Sequence, residues 1–342
     1  MSAAISIIIP FYNNKKYIDD CIGSILSQTF TSWQAIFIDD ASTDCGSANV
    51  KKIANKDGRI VLIHNEVNVG AAKSRIIGLM HAKSPYIMFL DGDDMLAKDA
   101  LYSLWKGING ADICIGQHIV LRNGEKIKWE ARTSPNLYTG NALDELKERI
   151  IYSMHGYSGM SLDGVLWKAL FKRKFIYNNL CHVDSDLWFS EDHLLFVAVI
   201  MDVSSLRVID KIVYYYRKHD NNVTTLYRPE FFDNAVRLYY DFYNLIKEKN
   251  GLPIMQKTNK WFLLKNIEHS IKREVMNSGK KYIDCKKELK RISMHPLFRN
   301  IFTDDNISVL DRGCRKYLAL LYRKYFLLIY ISLKWKKLKE DI

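Results

Sequence analysis

Four short apolar runs alternate with helical patterns over the first hundred residues, and this alternation narrows the possible folds more than any other feature of the sequence. Runs of unbroken hydrophobicity are typical of strands that are covered on both faces. Strands joined through helices form right-handed crossovers, which build a doubly wound, mainly parallel sheet. We therefore predict an α/β fold, with strands at Ile5–Ile9, Ala35–Ile38, Ile60–Ile63 and Tyr86–Leu90 and helices at Lys16–Ser27, Ser47–Asn55 and Gly70–Ala82.

Polar or loop-forming residues follow each of these predicted strands. The carboxyl ends of parallel strands meet at one edge of a sheet, and ligands of open α/β sheets bind there. The sequence therefore predicts a pocket at this edge, formed by four sets of residues: Pro10–Asn14, Asp39-Asp40, Asn65–Asn68 and Asp91–Asp94.

Two of these sets belong to acidic clusters, Asp39–Asp44 and Asp91–Asp94. Crowded carboxylates repel one another and are costly to keep ionised unless a cation lies among them. Hard divalent ions such as Mg²⁺ take oxygen ligands and usually share them with substrate phosphates. A single cluster of this kind is typically a solvated acidic turn, but two clusters at one edge of a sheet favour a metal–nucleotide site.

The rest of the chain falls into two parts. Between Asp112 and Tyr216 short strands mix with helices, and from Pro229 onward the pattern is almost wholly helical, aromatic and basic. We place a soft boundary near residue 225, between an α/β domain at 1–225, with halves at 1–110 and 111–225, and a helical region at 226–342. In the middle we predict helices at Asn141–Met154 and Gly164–Lys174, a helix that opens with Glu191-Asp192, and a strand at Val208–Tyr216.

The distribution of cysteines and of apolar segments indicates the cellular compartment in which the protein is expected. The six cysteines are scattered without a Cys-x-x-Cys pair, which argues against a zinc site or a disulfide framework and fits a reducing compartment. The first apolar run is short, lacks a basic leader and is interrupted by Pro10. No uninterrupted apolar segment approaches the ~20 residues that a spanning helix needs. We therefore expect a cytoplasmic protein.

Positive charge is concentrated near the C-terminus. Residues 311–342 carry nine Lys and Arg and three Asp and Glu. Their net charge of +6 is half of the net charge of +12 of the whole chain. Aromatic and aliphatic residues share this segment with the basic ones, as in helices that lie in a membrane interface. A packed helix with a solvated basic face is the alternative. We favour peripheral association with an anionic membrane surface, on the inner face of the cell membrane.

Seven motifs, in order along residues 4–225, resemble those of the family 2 glycosyltransferases, which have a GT-A fold with a Rossmann-like nucleotide-binding half. Each motif alone is weak, whereas the ordered set is specific. The motifs are Ser6–Asn13, Ser24–Phe30, Phe37–Asp44, Asn68–Gly70, Leu90–Asp94, Val165–Arg173 and Ser190–Phe196. Residues 226–342 match no motif of the family and form a helical extension.

The resemblance implies an inverting, metal-dependent hexosyltransferase. Such an enzyme moves a hexose or N-acetylhexosamine from a nucleotide diphosphate sugar, commonly a UDP-sugar, to a saccharide acceptor. It also implies a bacterial-type role in cell-surface polysaccharide or lipooligosaccharide biosynthesis, where a lipid-linked acceptor is one candidate. Mn²⁺ or Mg²⁺ would stabilise the charge that develops on the leaving nucleotide diphosphate.

The resemblance also assigns roles to residues of the nucleotide-sugar site. Asp40 would accept a hydrogen bond from uracil. Asp93 and Asp94 would hold the ribose and the divalent ion, and Asp91 would share the ion or support the turn. His219 would lie against the diphosphate or the metal, with a solvated basic loop as an equal alternative. The nucleoside pocket would be lined by Pro10, Tyr12, Asn68 and Arg75.

Inversion requires a base that removes the proton of the acceptor hydroxyl. The Glu191-Asp192 pair is the candidate, and the family pattern assigns the base to Asp192. Alone, two acids at a helix start would indicate only compensation of the helix dipole. The acceptor is expected to engage the region from Tyr157 to Trp188.

Two other functions are compatible with parts of the sequence. A nucleotidyltransferase acting on sugar phosphates also uses paired carboxylates and Mg²⁺, but the chain lacks a Gly-x-x-x-x-Gly-Lys phosphate loop. A basic nucleic-acid-binding protein would leave both acidic clusters unexplained, because they would repel a phosphate backbone. We therefore expect no nucleic-acid partner.

Overall fold

The computed structural model describes residues 3–129, 133–152, 162–183, 186–219 and 227–340. The chain divides into two compact units, one at residues 1–150 and 160–219 and the other at residues 151–159 and 220–342. The boundary predicted near residue 225 lies outside the described residues.

The first unit contains the alternating strands and helices of the N-terminal sequence. Its described elements are β1 (Ile5–Phe11), α1 (Ile18–Leu26), β2 (Trp33–Asp39), α2 (Gly46–Ala54), β3 (Ile60–His64), α3 (Ala71–His81), β4 (Tyr86–Phe89), β5 (Met95–Leu96), α4 (Ala100–Gly107), β6 (Ile113–Arg122), β7 (Glu125–Lys128), β8 (Asn136–Thr139), α5 (Gly140–Glu148), β9 (Ala169–Lys172), α6 (Arg173–Asn178), a 3₁₀ turn (Leu180–His182), α7 (Glu191–Asp202) and β10 (Ser205–Lys218).

The described strands form one sheet with the order β3-β2-β1-β4-β9-β6-β10-β5, in which β7 also pairs with β6 and β8 with β10. The first four strands in this order are mutually parallel. Beyond them the sheet is mixed, because β9 runs antiparallel to both β4 and β6, whereas β10 runs parallel to β6. The α/β class and the parallel N-terminal half are confirmed.

The core explains the unbroken hydrophobicity of the first strands. Every residue of β1 is buried, and β2 is buried at all positions except Gln34. Trp33 and Phe37 of β2 are almost fully enclosed and belong to the same apolar cluster as Ile18 and Ile22 of α1. Because helices cover this half of the sheet, only the strand ends remain available for polar chemistry.

The helix predicted at Gly164–Lys174 is wrong. Ala169–Lys172 form β9, and a helix begins only at Arg173. Leu170 and Phe171 are fully buried, and β9 pairs on one side with β4 and on the other with β6. The open sheet edges on both sides supply backbone partners for this segment, so tertiary pairing overrides its local helical pattern.

The described part of the second unit is helical, as predicted. Its helices are α8 (Phe231–Glu248), α9 (Pro253–Met276), α10 (Tyr282–Met294), α11 (Pro296–Ile301), α12 (Asp304–Ser308), α13 (Arg312–Tyr322) and α14 (Phe326–Glu340). All the others pack against α9, which buries Trp261, Leu264 and Ile271. Among the residues that the structure describes, no helix is both long and apolar enough to cross a membrane.

Candidate active site

The ends of the parallel strands converge as the sequence predicted. The Asp40 N–H donates to the Phe11 carbonyl at 2.9 Å, and the Gly92 N–H donates to the Pro10 carbonyl at 3.2 Å. Gly92 must approach β1 this closely, since a Cβ atom there would lie 2.5 Å from the Phe11 Cβ. The turns after β1, β2 and β4 therefore share one edge of the sheet.

In the first acidic cluster, the carboxylate of Asp40 accepts hydrogen bonds from the protein itself. Asp40 is buried, and its Oδ1 accepts from Asn65 Nδ2 and the Val69 N–H, both at 2.9 Å. Its Oδ2 accepts from the Gly70 N–H at 2.8 Å. A carboxylate offers about four acceptor positions, so Asp40 retains capacity for one further donor. The carboxylate thus holds the loop between β3 and α3, and its contact with uracil stays a prediction.

Residues predicted to line the nucleoside pocket surround this loop. Pro10 is buried within β1, whereas Tyr12 and Asn68 are exposed at the same sheet edge. Gly70 adopts φ 86° and ψ 163°, a region that is essentially restricted to glycine. The backbone at Gly70 therefore lets the loop donate to Asp40.

We expect Gly70→Ala to destabilise the first unit by about 1–3 kcal/mol, because alanine is strained at this φ and ψ. The strain should also loosen the bonds to Asp40 and weaken nucleotide binding. Chemical denaturation and calorimetric titration with UDP measure the two effects. Gly58→Ala is the matched control, because Gly58 has no heavy atom within 4 Å of its Cβ position and no positive φ. Equal behaviour of the two variants would contradict the role of Gly70.

Asp94 points into the protein. It is 1% exposed, its Oδ2 accepts from the Tyr214 hydroxyl at 2.8 Å, and its Oδ1 accepts from the Arg217 N–H at 2.6 Å. Burial raises the pKa of Asp94 well above its ordinary value, and the neighbouring charge of Asp93 raises it further. Both carboxylate oxygens thus connect the turn after β4 to β10.

Asp91 and Asp93 keep more solvent contact, since their side chains are 29% and 21% exposed. Asp93 Oδ2 lies 3.0 Å from His219 Nε2, and the His219 ring stacks on Tyr17 with centroids 4.9 Å apart. Burial raises the pKa of Asp93 and the charge of Asp91 adds to this effect, while His219 opposes it. The structure therefore brings His219 to the turn formed by residues 91–94, which we call the acidic turn.

Arg75 joins the acidic turn to the start of α7. One terminal nitrogen donates to Asp91 Oδ1 at 2.9 Å, and the other donates to Glu191 Oε1 at 2.8 Å. Burial alone would lower the pKa of Arg75, but the charges of Asp91 and Glu191 outweigh it and raise the pKa. Arg75 was predicted to line the nucleoside pocket, and the structure places its guanidinium between these two carboxylates.

Asp192 differs from its neighbour Glu191. Glu191 is paired with Arg75, whereas Asp192 Oδ1 accepts from the His193 N–H at 2.8 Å. Burial, followed by the charge of Glu191, raises the pKa of Asp192 to about 7 even though Arg75 acts in the opposite direction. A carboxyl group with this pKa can accept or release a proton near neutral pH.

An apolar cavity and a strained backbone residue adjoin Asp192. A small cavity lies beside Arg75, Glu191 and Asp192, with otherwise apolar walls that include Leu166 and Leu195. Apolar walls disfavour a charged carboxylate and account for its raised pKa. Ser190, immediately before the pair, has φ 62°, a left-handed conformation that is strained for serine and typical of functional sites.

The carboxylates of the acidic turn can hold a divalent cation only as a small set of ligands. Among the described residues, no group of three or more His, Cys, Asp or Glu side chains is arranged to hold a metal ion. An ion shared with substrate phosphates needs only one or two carboxylates. Asp91 and Asp93 are partly exposed at the sheet edge, and burial followed by the charge of Asp91 raises the pKa of Asp93. This smaller set fits Mg²⁺ or Mn²⁺.

Sequence reasoning missed Tyr214. Its hydroxyl accepts from the Asp91 N–H at 3.1 Å and donates to the Asp94 carboxylate. These two hydrogen bonds hold the acidic turn against β10. Trp167 packs on Tyr214, with ring centroids 4.4 Å apart. The run Tyr214-Tyr215-Tyr216 signalled an aromatic strand, but the sequence could not show which ring faces the acids.

Comparisons with known proteins show what the chain is similar to. The family model described as "Glycosyl transferase family 2" matches residues 6–165. The "Uncharacterized glycosyltransferase EpsJ" of Bacillus subtilis is 26% identical over 252 residues, which cover 71% of each chain. The "Putative teichuronic acid biosynthesis glycosyltransferase TuaG" of the same organism is 39% identical over 97 residues, which cover 28% of this chain and 38% of TuaG.

A solved structure has the same fold. Residues 1–349 of TarS from S. aureus, crystallised with UDP, superpose with a TM-score of 0.67 at 18% identity, covering 100% of this chain and 92% of that one. The same fragment in complex with UDP-GlcNAc gives a TM-score of 0.66. Together with the ordered strand-end motifs, these matches show that the chain has the α/β GT-A fold and that its residues 6–165 match glycosyltransferase family 2.

Proposed function

We propose that this glycosyltransferase transfers a hexose or N-acetylhexosamine from a UDP-sugar to a saccharide acceptor, with inversion at the anomeric carbon. The observation that carries the proposal is Asp192, a carboxylate whose pKa is raised to about 7 and whose neighbour Glu191 is joined to the acidic turn through Arg75. The UDP and UDP-GlcNAc complexes of TarS support this donor class.

The donor nucleotide is proposed to bind over the edge formed by the ends of β1, β2 and β3. Asp40 has acceptor capacity for the uracil N–H, and Tyr12 and Asn68 are exposed beside it. The buried Pro10 would close the base of the pocket. Asp93 would contact the ribose, and His219, which is already bonded to Asp93, would face the diphosphate.

Asp91 and Asp93 are proposed to hold Mn²⁺ or Mg²⁺. When bound, such an ion acts as a Lewis acid that stabilises charge on the leaving nucleotide diphosphate. Asp94 is also predicted to hold the ion, but it is 1% exposed and both of its oxygens are turned toward β10, from which they accept hydrogen bonds. We therefore assign to Asp94 the positioning of the turn that carries the other two carboxylates.

The acceptor hydroxyl attacks the anomeric carbon as the bond to the diphosphate breaks, and its proton passes to Asp192. The receiving atom is proposed to be Asp192 Oδ2, because Oδ1 accepts from the His193 N–H. Glu191 keeps Arg75 in place and is a positioning residue in this scheme. Of the region predicted to engage the acceptor, residues 157–161 and 184–185 lie outside the described residues, whereas the half-buried Trp167 lies near the acidic turn through Tyr214.

The biological setting is proposed to be the synthesis of a cell-surface polysaccharide or lipooligosaccharide. The similarity to TuaG, whose name refers to teichuronic acid, supports a surface polymer. We also propose that the protein works at the inner face of the cell membrane, where lipid-linked acceptors are accessible.

A donor screen tests the reaction and its metal. Purified protein is incubated with UDP-, GDP- and CDP-sugars and either Mn²⁺ or Mg²⁺, and the released nucleotide is measured. We expect release of a nucleoside diphosphate from one donor, and its loss with a chelator until Mn²⁺ is restored. Release of pyrophosphate would indicate a nucleotidyltransferase instead.

Asp93→Asn should reduce this turnover by about 100-fold or more, because it removes a proposed ligand of the ion that would stabilise the developing charge. Asp210→Asn, which alters an exposed carboxylate of β10, is the matched control and should leave the rate unchanged. Calorimetry of Mn²⁺ with UDP provides a readout apart from activity. Unaltered Mn²⁺-dependent UDP binding by Asp93→Asn would contradict its assignment to the ion.

A further inference from the structure

The last described helix, α14, has an apolar stripe on its outer face. The stripe consists of Leu327, Leu328, Ile331, Trp335 and Leu338, each of which is between 50% and 63% exposed. Their spacing of three or four residues places them on one side of a helix. The opposite side carries Phe326, Ile329 and Leu333, which are buried in the second unit. The helix is therefore apolar on two faces, and only one of them is covered by the second unit.

Basic residues border the outer stripe on both sides. On a helical wheel Lys336 and Lys339 lie along one margin and Lys334 along the other. The Lys339 ammonium lies 3.7 Å from the centroid of the Trp335 ring, at the stripe itself. Residues 326–339 contain no Asp or Glu. An apolar stripe between rows of lysines is typical of helices that lie flat in the interface of an anionic bilayer.

We propose that this outer face of α14 docks on an anionic lipid surface. The proposal gives the membrane location in the proposed function a specific surface, but it does not depend on sugar transfer. The buried side of the helix stays packed in the second unit, so docking requires no rearrangement of that unit. The aliphatic side chains and Trp335 would enter the headgroup region, while the lysines would pair with lipid phosphates.

A second copy of the chain is the main alternative occupant of the stripe. A symmetric contact through this face would bring its lysine rows close to those of the partner helix. Like charges brought together across an interface oppose association. Anionic headgroups would instead neutralise the same lysines, and this charge complementarity decides between the two occupants.

The test is cosedimentation of the full chain with vesicles of phosphatidylcholine, with and without phosphatidylglycerol, at low and high salt. We expect binding to the anionic vesicles that weakens as salt is raised. The double variant Ile331→Ser/Trp335→Ser should bind about 30-fold more weakly, because it removes two apolar side chains from the contact. Lys336→Gln/Lys339→Gln should lower binding at low salt by about 5-fold for each charge.

The matched control is Ile283→Ser/Met294→Ser, which changes two exposed apolar residues of α10 and should bind like the parent. Thermal unfolding of every variant confirms that the altered side chains are not needed for folding. Deletion from Arg312 would be a poor test, because α13 and α14 both bury core residues of the second unit.

Failure of the parent chain to bind anionic vesicles would overturn the proposal, as would unchanged binding by Ile331→Ser/Trp335→Ser. Concentration-dependent dimerisation in light scattering that this variant abolishes, without vesicle binding by the parent, would assign the stripe to a second copy. Donor hydrolysis in the absence of vesicles is measured in parallel and should be the same for all variants. A negative vesicle result therefore leaves the reaction itself to be judged separately.

Discussion

Replacing Asp192 by asparagine should lower the rate of sugar transfer by about 100- to 10,000-fold, the usual contribution of a positioned general base. Asparagine keeps the size of the side chain and the acceptor for the His193 N–H, but it cannot take a proton at neutral pH. The proposed nucleotide pocket lies at the ends of β1, β2 and β3, so the affinity for the UDP-sugar should be retained. Initial rates of transfer and calorimetric titration with the donor measure the two quantities.

The pKa of Asp192 adds a signature that a structural role would not produce. Because the pKa is raised to about 7, the parent rate should rise with pH until the carboxylate is ionised and then level off. Compared with the unfolded chain, the folded protein binds this proton more tightly, so ionisation of Asp192 between about pH 4 and pH 7 lowers stability. Asp192→Asn removes this penalty and should be at least as stable as the parent at pH 8.

Glu191→Gln serves as the neighbouring comparison for Asp192. Its amide oxygen can still accept a bond from Arg75, so we expect a smaller loss of rate. Because the charge of Glu191 raises the pKa of Asp192, its removal should move the rise of activity to lower pH. Joint loss of donor binding, stability and activity in Asp192→Asn would instead indicate that Asp192 serves the fold.

Removal of the Arg75 guanidinium should have the largest effect on stability. Arg75→Gln leaves Asp91, Glu191 and Asp192 close together without their cation. Breaking a buried ion pair from one side typically costs about 3–5 kcal/mol. Urea unfolding of the first unit measures the loss. We also expect the rise of activity with pH to move to higher pH, because the charge of Arg75 lowers the pKa of Asp192.

Arg173→Gln is the matched control, since its guanidinium donates to the Ala82 carbonyl and the structure shows no ion pair for it within the described residues. Arg75→Lys preserves the charge but cannot bond both carboxylates with a planar fork. It should therefore fold, keep a pH profile near that of the parent and lose part of the rate. A stable Arg75→Gln variant with an unchanged pH profile would contradict the role of Arg75.

The sequence predicted the features of the candidate site that depend on local patterns, such as the convergence of the strand ends. Parallel strands place their carboxyl ends together, so the convergence of Pro10, Asp40 and Asp91 followed from the alternation of strands and helices. The pairing of Arg75 with Glu191 joins positions 116 residues apart, and no local pattern specifies such a contact. The inward direction of the Asp94 side chain could not be predicted from the sequence either, because it depends on the position of Tyr214 in β10.

The same limit explains the wrong helix at Gly164–Lys174. The apolar run there fits a buried helix as well as a buried strand, and periodicity alone cannot separate the two. Residues 169–172 form a strand because they pair with the edges of β4 and β6, and both of these strands come much earlier in the chain.

The position of β9 also sets an order of events during synthesis. β4 and β6 are near one another in sequence, yet β9 lies between them and includes residues 169–172. Until those residues have left the ribosome, β4 presents an open edge on the side that β9 later occupies. An exposed edge strand is a template for pairing with other chains. The nascent N-terminal half therefore passes through a period of aggregation risk, which ends when one late strand inserts and joins the two halves of the sheet.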